Sequence, residues 1–168
     1  MAKISDQVVQ EDEENNSTLK TPTFDVNMRL FHSSIFYRQI IMDCIQYMAS
    51  HLNMTFEDHN SPRGISGAEL GLPWNIIAYK HGTNKKFCIN PKIIKKSKEL
   101  VETETKCGAL KLDKGVKLQR HMFIDLEYFD TKGQKIVERS IGRNEGGFTI
   151  QHEVDHNMAI SILDREIK

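Results

Sequence analysis

A chain of 168 residues with 39% hydrophobic content is long enough to bury one core and too short for two comfortable domains. Lys+Arg and Asp+Glu both number 23, and the absence of net charge argues against direct nucleic-acid partners and against an anionic membrane surface. No apolar run reaches the roughly 18 residues of a membrane span, and no basic start precedes an apolar stretch, so a cytoplasmic protein is expected.

Residues 1–22 contain Glu11-Asp12-Glu13-Glu14 and few apolar side chains. Such a segment buries too little surface to offset its ordering entropy, which predicts a disordered acidic tail and a single domain over 23–168. From Met28 to Leu52, the positions Tyr37, Ile41, Cys44, Met48 and Leu52 recur at three- and four-residue steps and predict one long helix packed on a sheet. The segment from Ser61 to Gly67 is rich in breakers. Asn75 to Tyr79 and Lys86 to Ile89 then read as short strands, the second closed by Asn90-Pro91.

Met122 to Phe129 and Lys135 to Ile141 flank the turn residues Asp130-Thr131-Lys132-Gly133, which predicts a β-hairpin. A loop with Gly142, Gly146 and Gly147 leads to the last element, Phe148 to Leu163, where Ile150, Val154, Met158 and Ile162 have helical spacing. A helix, several strands and a helix make an α+β domain, with no internal repeat. The three cysteines are an odd number and read as free thiols or a metal ligand rather than a disulfide framework. Cys44 and Cys88 lie in apolar stretches and read as small buried hydrophobes, whereas Cys107 has polar surroundings and keeps both readings.

The chemistry lies in His152-Glu153-Val154-Asp155-His156, an H-E-x-x-H pattern whose histidines stand one helical turn apart and can aim at one divalent cation. Glu153 can then handle the proton of a metal-bound water, whose pKa falls toward about 7. Chance placement gives this pattern roughly 0.02 times in a chain of this composition. A solvated surface helix is the competing reading, and Ile150, Val154 and Met158 favour a mostly buried one. Two histidines leave a tetrahedral site incomplete. Downstream only Asp164 and Glu166 are available, and upstream Cys107 offers a thiolate, a strong ligand for zinc or iron.

Ile150-Gln151-His152-Glu153-Val154-Asp155-His156 resembles the Q-H-E-x-D-H segment of the peptide deformylases, with Asp155 as the discriminating residue. Ile76-Ile77-Ala78-Tyr79, then Ile89-Asn90-Pro91-Lys92-Ile93-Ile94-Lys95-Lys96-Ser97, resemble the strand and the I-N-P segment of that family, and Ile162-Leu163-Asp164-Arg165 its ending. Gly64-Ile65-Ser66-Gly67-Ala68-Glu69-Leu70-Gly71 aligns without a gap to the motif G-φ-A-A-P-Q-φ-G, with Glu69 at the glutamine position. The motif E-G-C-L-S is matched either through Cys107 or through Gly108-Ala109-Leu110, which would put Ala109 at the ligand position.

The resemblance implies mixed or antiparallel sheets around a central metal-binding helix. It also implies one divalent ion on His152, His156 and Cys107: ferrous iron, or zinc or nickel. The substrate would be a formyl-methionyl peptide or nascent chain, with Glu153 as general acid/base cleaving a formamide C–N bond. Glu69 would hold the catalytic oxyanion position, where an ionised carboxylate, unlike an amide, only accepts hydrogen bonds. The Gly108 N–H would be a second oxyanion donor, Gly64, Ile65 and Phe148 would border the peptide, and Arg120 would pair with Asp155. Ribosome docking through a C-terminal extension is not expected, since the chain ends soon after the metal helix. The alternative function is a catalytically impaired binding or regulatory protein that keeps the fold. A general zinc peptidase would need a downstream ligand.

Overall fold

The computed structural model describes residues 19–53, 63–110, 112 and 114–167. Of the expected tail, residues 1–18 lie outside the described residues, while Leu19 is 4% exposed and joins a buried cluster with Leu118 and Ile162. The helix expected from Met28 to Leu52 is two helices, α1 (Met28–Ser33) and α2 (Ile35–His51). Ser34 is extended, at φ −120° and ψ 114°, and its hydroxyl accepts from the Tyr37 N–H, so a capping residue interrupts a continuous apolar period. The predicted face is nevertheless the inward one: Ile41, Met48 and Leu52 are fully buried.

Among the described residues seven strands follow: β1 (Gly64–Ser66), β2 (Ile76–His81), β3 (Asn84–Lys96), β4 (Leu100–Thr105), β5 (Val116–His121), β6 (Ile124–Phe129) and β7 (Lys135–Ile141). They form a five-stranded antiparallel sheet in the order β1-β2-β3-β6-β7 and a separate antiparallel pair, β4-β5. Asn90-Pro91 does not end β3. The strand runs on to Lys96 through a register shift between Ile89 and Lys92, with Asn90 at φ +53°. At that irregularity the proline needs no ladder N–H, and the Asn90 amide pairs instead with Val26, accepting from its N–H at 2.7 Å and donating to its carbonyl at 2.8 Å.

The β4-β5 pair has no counterpart in the sequence reading. β4 buries no residue fully, and the inward positions of β5 are Val116, Leu118 and Arg120, so a charge interrupts its apolar alternation. The last helix is shorter than expected: α3 (Gly147–Asn157) stops because Ala159 takes φ +59° and the Ile160 N–H returns to the Asp155 carbonyl at 2.9 Å. Met158 is therefore 61% exposed, and Ile162 packs with Leu19 and Leu118 rather than on a helix face.

β2 lies between two layers, and successive side chains on a strand point to opposite faces. Ile76 and Ala78 join Ile41, Ile45 and Met48 of α2, whereas Ile77 and Tyr79 join Ile150 and Val154 of α3. All four β2 residues are fully buried, and burial of an isoleucine side chain contributes about 1.5–3 kcal/mol. α3 thus touches β1, β2 and β3 on one side and β5 on the other. Among the described residues no helix is long and apolar enough to cross a membrane.

On the same sheet Lys86 donates to both Glu138 oxygens, at 2.9 and 2.7 Å, and Tyr128 donates to one of them at 2.5 Å. Burial raises the Glu138 carboxyl, but the hydrogen bonds and charge of Lys86, with Tyr128, hold it below its ordinary value. A depressed carboxylate contributes stability that is complete above the unfolded-state pKa and lost as pH falls through the folded one. Glu138→Gln is accordingly expected to lower the melting temperature at pH 7 and to matter progressively less toward pH 3. A constant difference across that range would exclude ionisation as the source.

Candidate metal centre

Every position of α3 from Glu153 to Asn157 is buried, so the polar side chains of this helix need partners inside the protein. Gln151 pins it to β5: its amide donates to the His121 carbonyl at 2.9 Å and its oxygen accepts from the His121 N–H at 3.0 Å. Asp155 accepts from Arg120 on β5 and from Arg165, the latter at 2.8 Å. Asn157 accepts from the Ala68 N–H at 3.2 Å and donates to Asn75 and to the Ile76 carbonyl, both at 3.0 Å. Both ends of the helix are therefore tied to the strands flanking it.

This frame brings four donors together. His152 and His156 present their Nε2 atoms 2.9 Å apart, and the Cys107 Sγ lies 3.3 Å from His156 Nε2. Glu69 Oε1 is 4.0 Å from the same nitrogen, and the ligand atoms of all four residues lie within 4.8 Å of one another. Cys107 arrives from the segment after β4, Glu69 from the 3-10 turn Ala68–Leu70 and the histidines from α3, so the cluster joins three distant stretches of chain.

The donor chemistry fits a cation. Burial and the neighbouring His156 push His152 down to about 3, which keeps its ring neutral and its nitrogen available as a ligand. Burial and the Glu69 charge push the Cys107 thiol up, so a positive charge is what would draw out its thiolate. Glu153 shares a hydrogen bond with Glu69, and one of its carboxylate oxygens has no hydrogen-bond partner. Burial, then the Glu69 charge, raises Glu153 well above the ordinary carboxylate range. Glu69 is also raised by burial, but His156, Glu153, His152 and the Ser66 N–H more than offset this and leave it low.

Gly64 is where β1 meets α3. A Cβ there would lie 2.4 Å from Thr149 Cγ2 and 2.7 Å from Glu153 Oε1. Gly64→Ala is expected to destabilise the fold by about 1–3 kcal/mol, as overpacking does, read as a lower denaturant midpoint. An unchanged midpoint would mean that β1 can back away from the helix freely.

Cys107, not Ala109, reaches the histidines; Ala109 lies in the buried cluster around Leu118. Asp164 and Glu166 are exposed and take no part. Ile65 points its side chain into the core under α2, so only its backbone is available to a ligand. Gly108 is exposed, with no atom within 4 Å of where a Cβ would sit, and Phe148 is half-buried beneath Arg143. Cys44 is half-buried and Cys88 fully buried. Sequence reading gave no role to Ser66 or Asn157: the bonds of Asn157 span up to 134 positions and carry no local signal, whereas Ser66 bonds Glu69 three residues on, an S-x-x-E spacing that could have pointed to it.

Fold and site define an α+β protein with a candidate metal centre on a buried helix. The chain belongs to the polypeptide deformylase family, whose model matches residues 7–168. It is similar to the peptide deformylase of Streptococcus pneumoniae, 25% identical over 167 residues that cover 90% of this chain and 81% of the relative. Its fold matches a probable peptide deformylase from Synechococcus phage S-SSM7 at TM-score 0.75 and 17% identity, over 95% of this chain and 99% of the other. A class I type b peptide deformylase from Acinetobacter baumannii with Met-Ala-Ser bound matches at TM-score 0.74 and 17% identity, covering 96% and 99% of the two chains.

Proposed function

We propose that this chain is a metal-dependent hydrolase that removes the formyl group from formyl-methionyl peptides and nascent chains in the cytoplasm. The observation that carries this reading is the convergence of Cys107, His152 and His156 beside a Glu153 oxygen without a partner. Two imidazoles and a thiolate suit ferrous iron, and also zinc or nickel. When bound, the ion supplies a Lewis acid that activates water at neutral pH.

Glu153 takes the proton of the attacking water and delivers it to the departing amine as the formamide C–N bond breaks, leaving formate and a free amino terminus. Gly108 is exposed with open space beside it, and its N–H would donate to the carbonyl oxygen as negative charge grows there. Gly64, the Ile65 backbone and Phe148 border the peptide. The A. baumannii relative, which binds Met-Ala-Ser, supports a peptide of that kind as the product.

A second reading, a binding or regulatory protein with little turnover, is favoured by one observation: a buried carboxylate, Glu69, lies where the family motif has glutamine. Formate release from formyl-Met-Ala-Ser by anaerobically purified, iron-loaded protein separates the two. Formate production supports the hydrolase; its absence from folded, iron-loaded protein supports the binding role. Cys107→Ser is expected to lose most of the bound metal, measured by plasma emission, while Cys88→Ser keeps it. Equal metal in both variants would remove Cys107 from the ligand set.

A further inference from the structure

We infer that Glu69 is itself a metal ligand, completing a His152–His156–Cys107–Glu69 donor set in which a carboxylate takes a position that the family motif leaves to an amide. This rests on the metal-site reading above and concerns only the fourth donor. Its two carboxylate oxygens are treated differently by the fold. Oε2 accepts from the Ser66 N–H at 2.8 Å and the Ser66 hydroxyl at 2.9 Å, while Oε1 is the oxygen turned toward His156. One oxygen anchored by two donors and the other aimed at the cluster is the arrangement of a ligating carboxylate oriented by its outer shell.

The support extends further back. Ser66 Oγ also accepts from the Glu69 N–H at 3.3 Å, and Asn157, the residue after His156, holds the Ala68 N–H. The backbone carrying Glu69 is thereby tied to the helix that carries both histidines.

The distances agree with one ion at the centre. A tetrahedral zinc with ligand bonds of roughly 2.0–2.3 Å needs its donors roughly 3.3–3.7 Å apart. The separations of 2.9, 3.3 and 4.0 Å around His156 Nε2 bracket that range, so small side-chain movements suffice. An amide oxygen is a weaker ligand than a carboxylate, and an amide nitrogen does not ligate. A glutamine at this place would therefore leave the position to water, as catalytic zinc sites do. Occupation by Glu69 predicts tighter metal retention together with slower turnover.

The test uses the full chain loaded with zinc. Competition against a chromophoric chelator is expected to show Glu69→Gln binding zinc about tenfold or more weakly than wild type. A crystal structure of zinc-loaded wild type, which needs no variant to fold, is expected to show Glu69 Oε1 roughly 2.0–2.2 Å from the ion. Equal affinity in the variant, or an oxygen beyond bonding distance, would overturn the inference and leave the three-ligand site standing. Failure of wild type to bind one zinc per chain would overturn this inference and the metal-site reading together.

Discussion

Glu153→Gln is expected to reduce formate release by roughly 10²–10⁴-fold, the range for removing a positioned general acid/base. Glutamine is the informative replacement because it keeps the size of Glu153 and can keep its hydrogen bond to Glu69. An amide N–H can keep that hydrogen bond, and no neighbour is left with a new buried charge. Loss of turnover with an unchanged melting temperature and unchanged metal content would therefore isolate proton transfer. A variant that retains the wild-type rate would place the proton-handling group elsewhere and remove Glu153 from the mechanism. Glu153→Ala is the cruder comparison, since it also opens a cavity beside Gly64.

Glu69→Gln is expected to act in the opposite direction and raise the rate. Buried among His156, Cys107 and Glu153, an ionised Glu69 can only accept hydrogen bonds and repels negative charge developing on a substrate oxygen. Glutamine keeps one oxygen for the Ser66 donors and presents an N–H to the site. One oxyanion-hole donor is worth about a hundredfold or more in turnover, so a gain approaching roughly a hundredfold is the upper expectation. The measurement is formate release at saturating formyl-Met-Ala-Ser, with rates expressed per bound iron so that a change in metal affinity does not hide the effect. A rate unchanged or lower would show that the carboxylate is not what limits turnover.

The candidate site divides into a legible part and an illegible one. His152, Glu153 and His156 stand within a single helical turn, so their convergence follows from the 3.6-residue period and needs no knowledge of the rest of the chain. Cys107 was one of two registers, because no local rule decides how a loop after a strand turns. The structure brings its sulfur to His156, and Ala109 into the core. Glu69 was aligned to the site from its motif, and the Ser66-x-x-Glu69 spacing is local, but nothing in the sequence indicated that the other oxygen would face the cluster. Arg120 was paired with Asp155 by resemblance, and the buried ion pair bears that placement out.

The fold divides the same way. β2 was visible because burial on both faces demands an unbroken apolar run, and α2 because its inward face repeats. β4 and β5 were invisible because a two-stranded pair buries little, and its third inward position is a charged residue serving α3. Two errors of length share one cause: Ser34 and Ala159 break helices whose apolar periods continue past them. Period reports which face would be buried, whereas the end of a helix depends on where the backbone finds its next hydrogen bond.

By itself, the sequence determined the elements whose signal is local: a helix carrying two imidazoles and a carboxylate, and strands buried on both faces. Only the tertiary structure decided which sulfur joins the imidazoles and that Glu69 lies beside them. Those outcomes depend on bonds between segments far apart in the chain, such as Asn157 to Ala68 and Gln151 to His121. Spacing along a chain encodes contacts within a helix or strand, but the meeting of separate elements depends on how all of them pack at once.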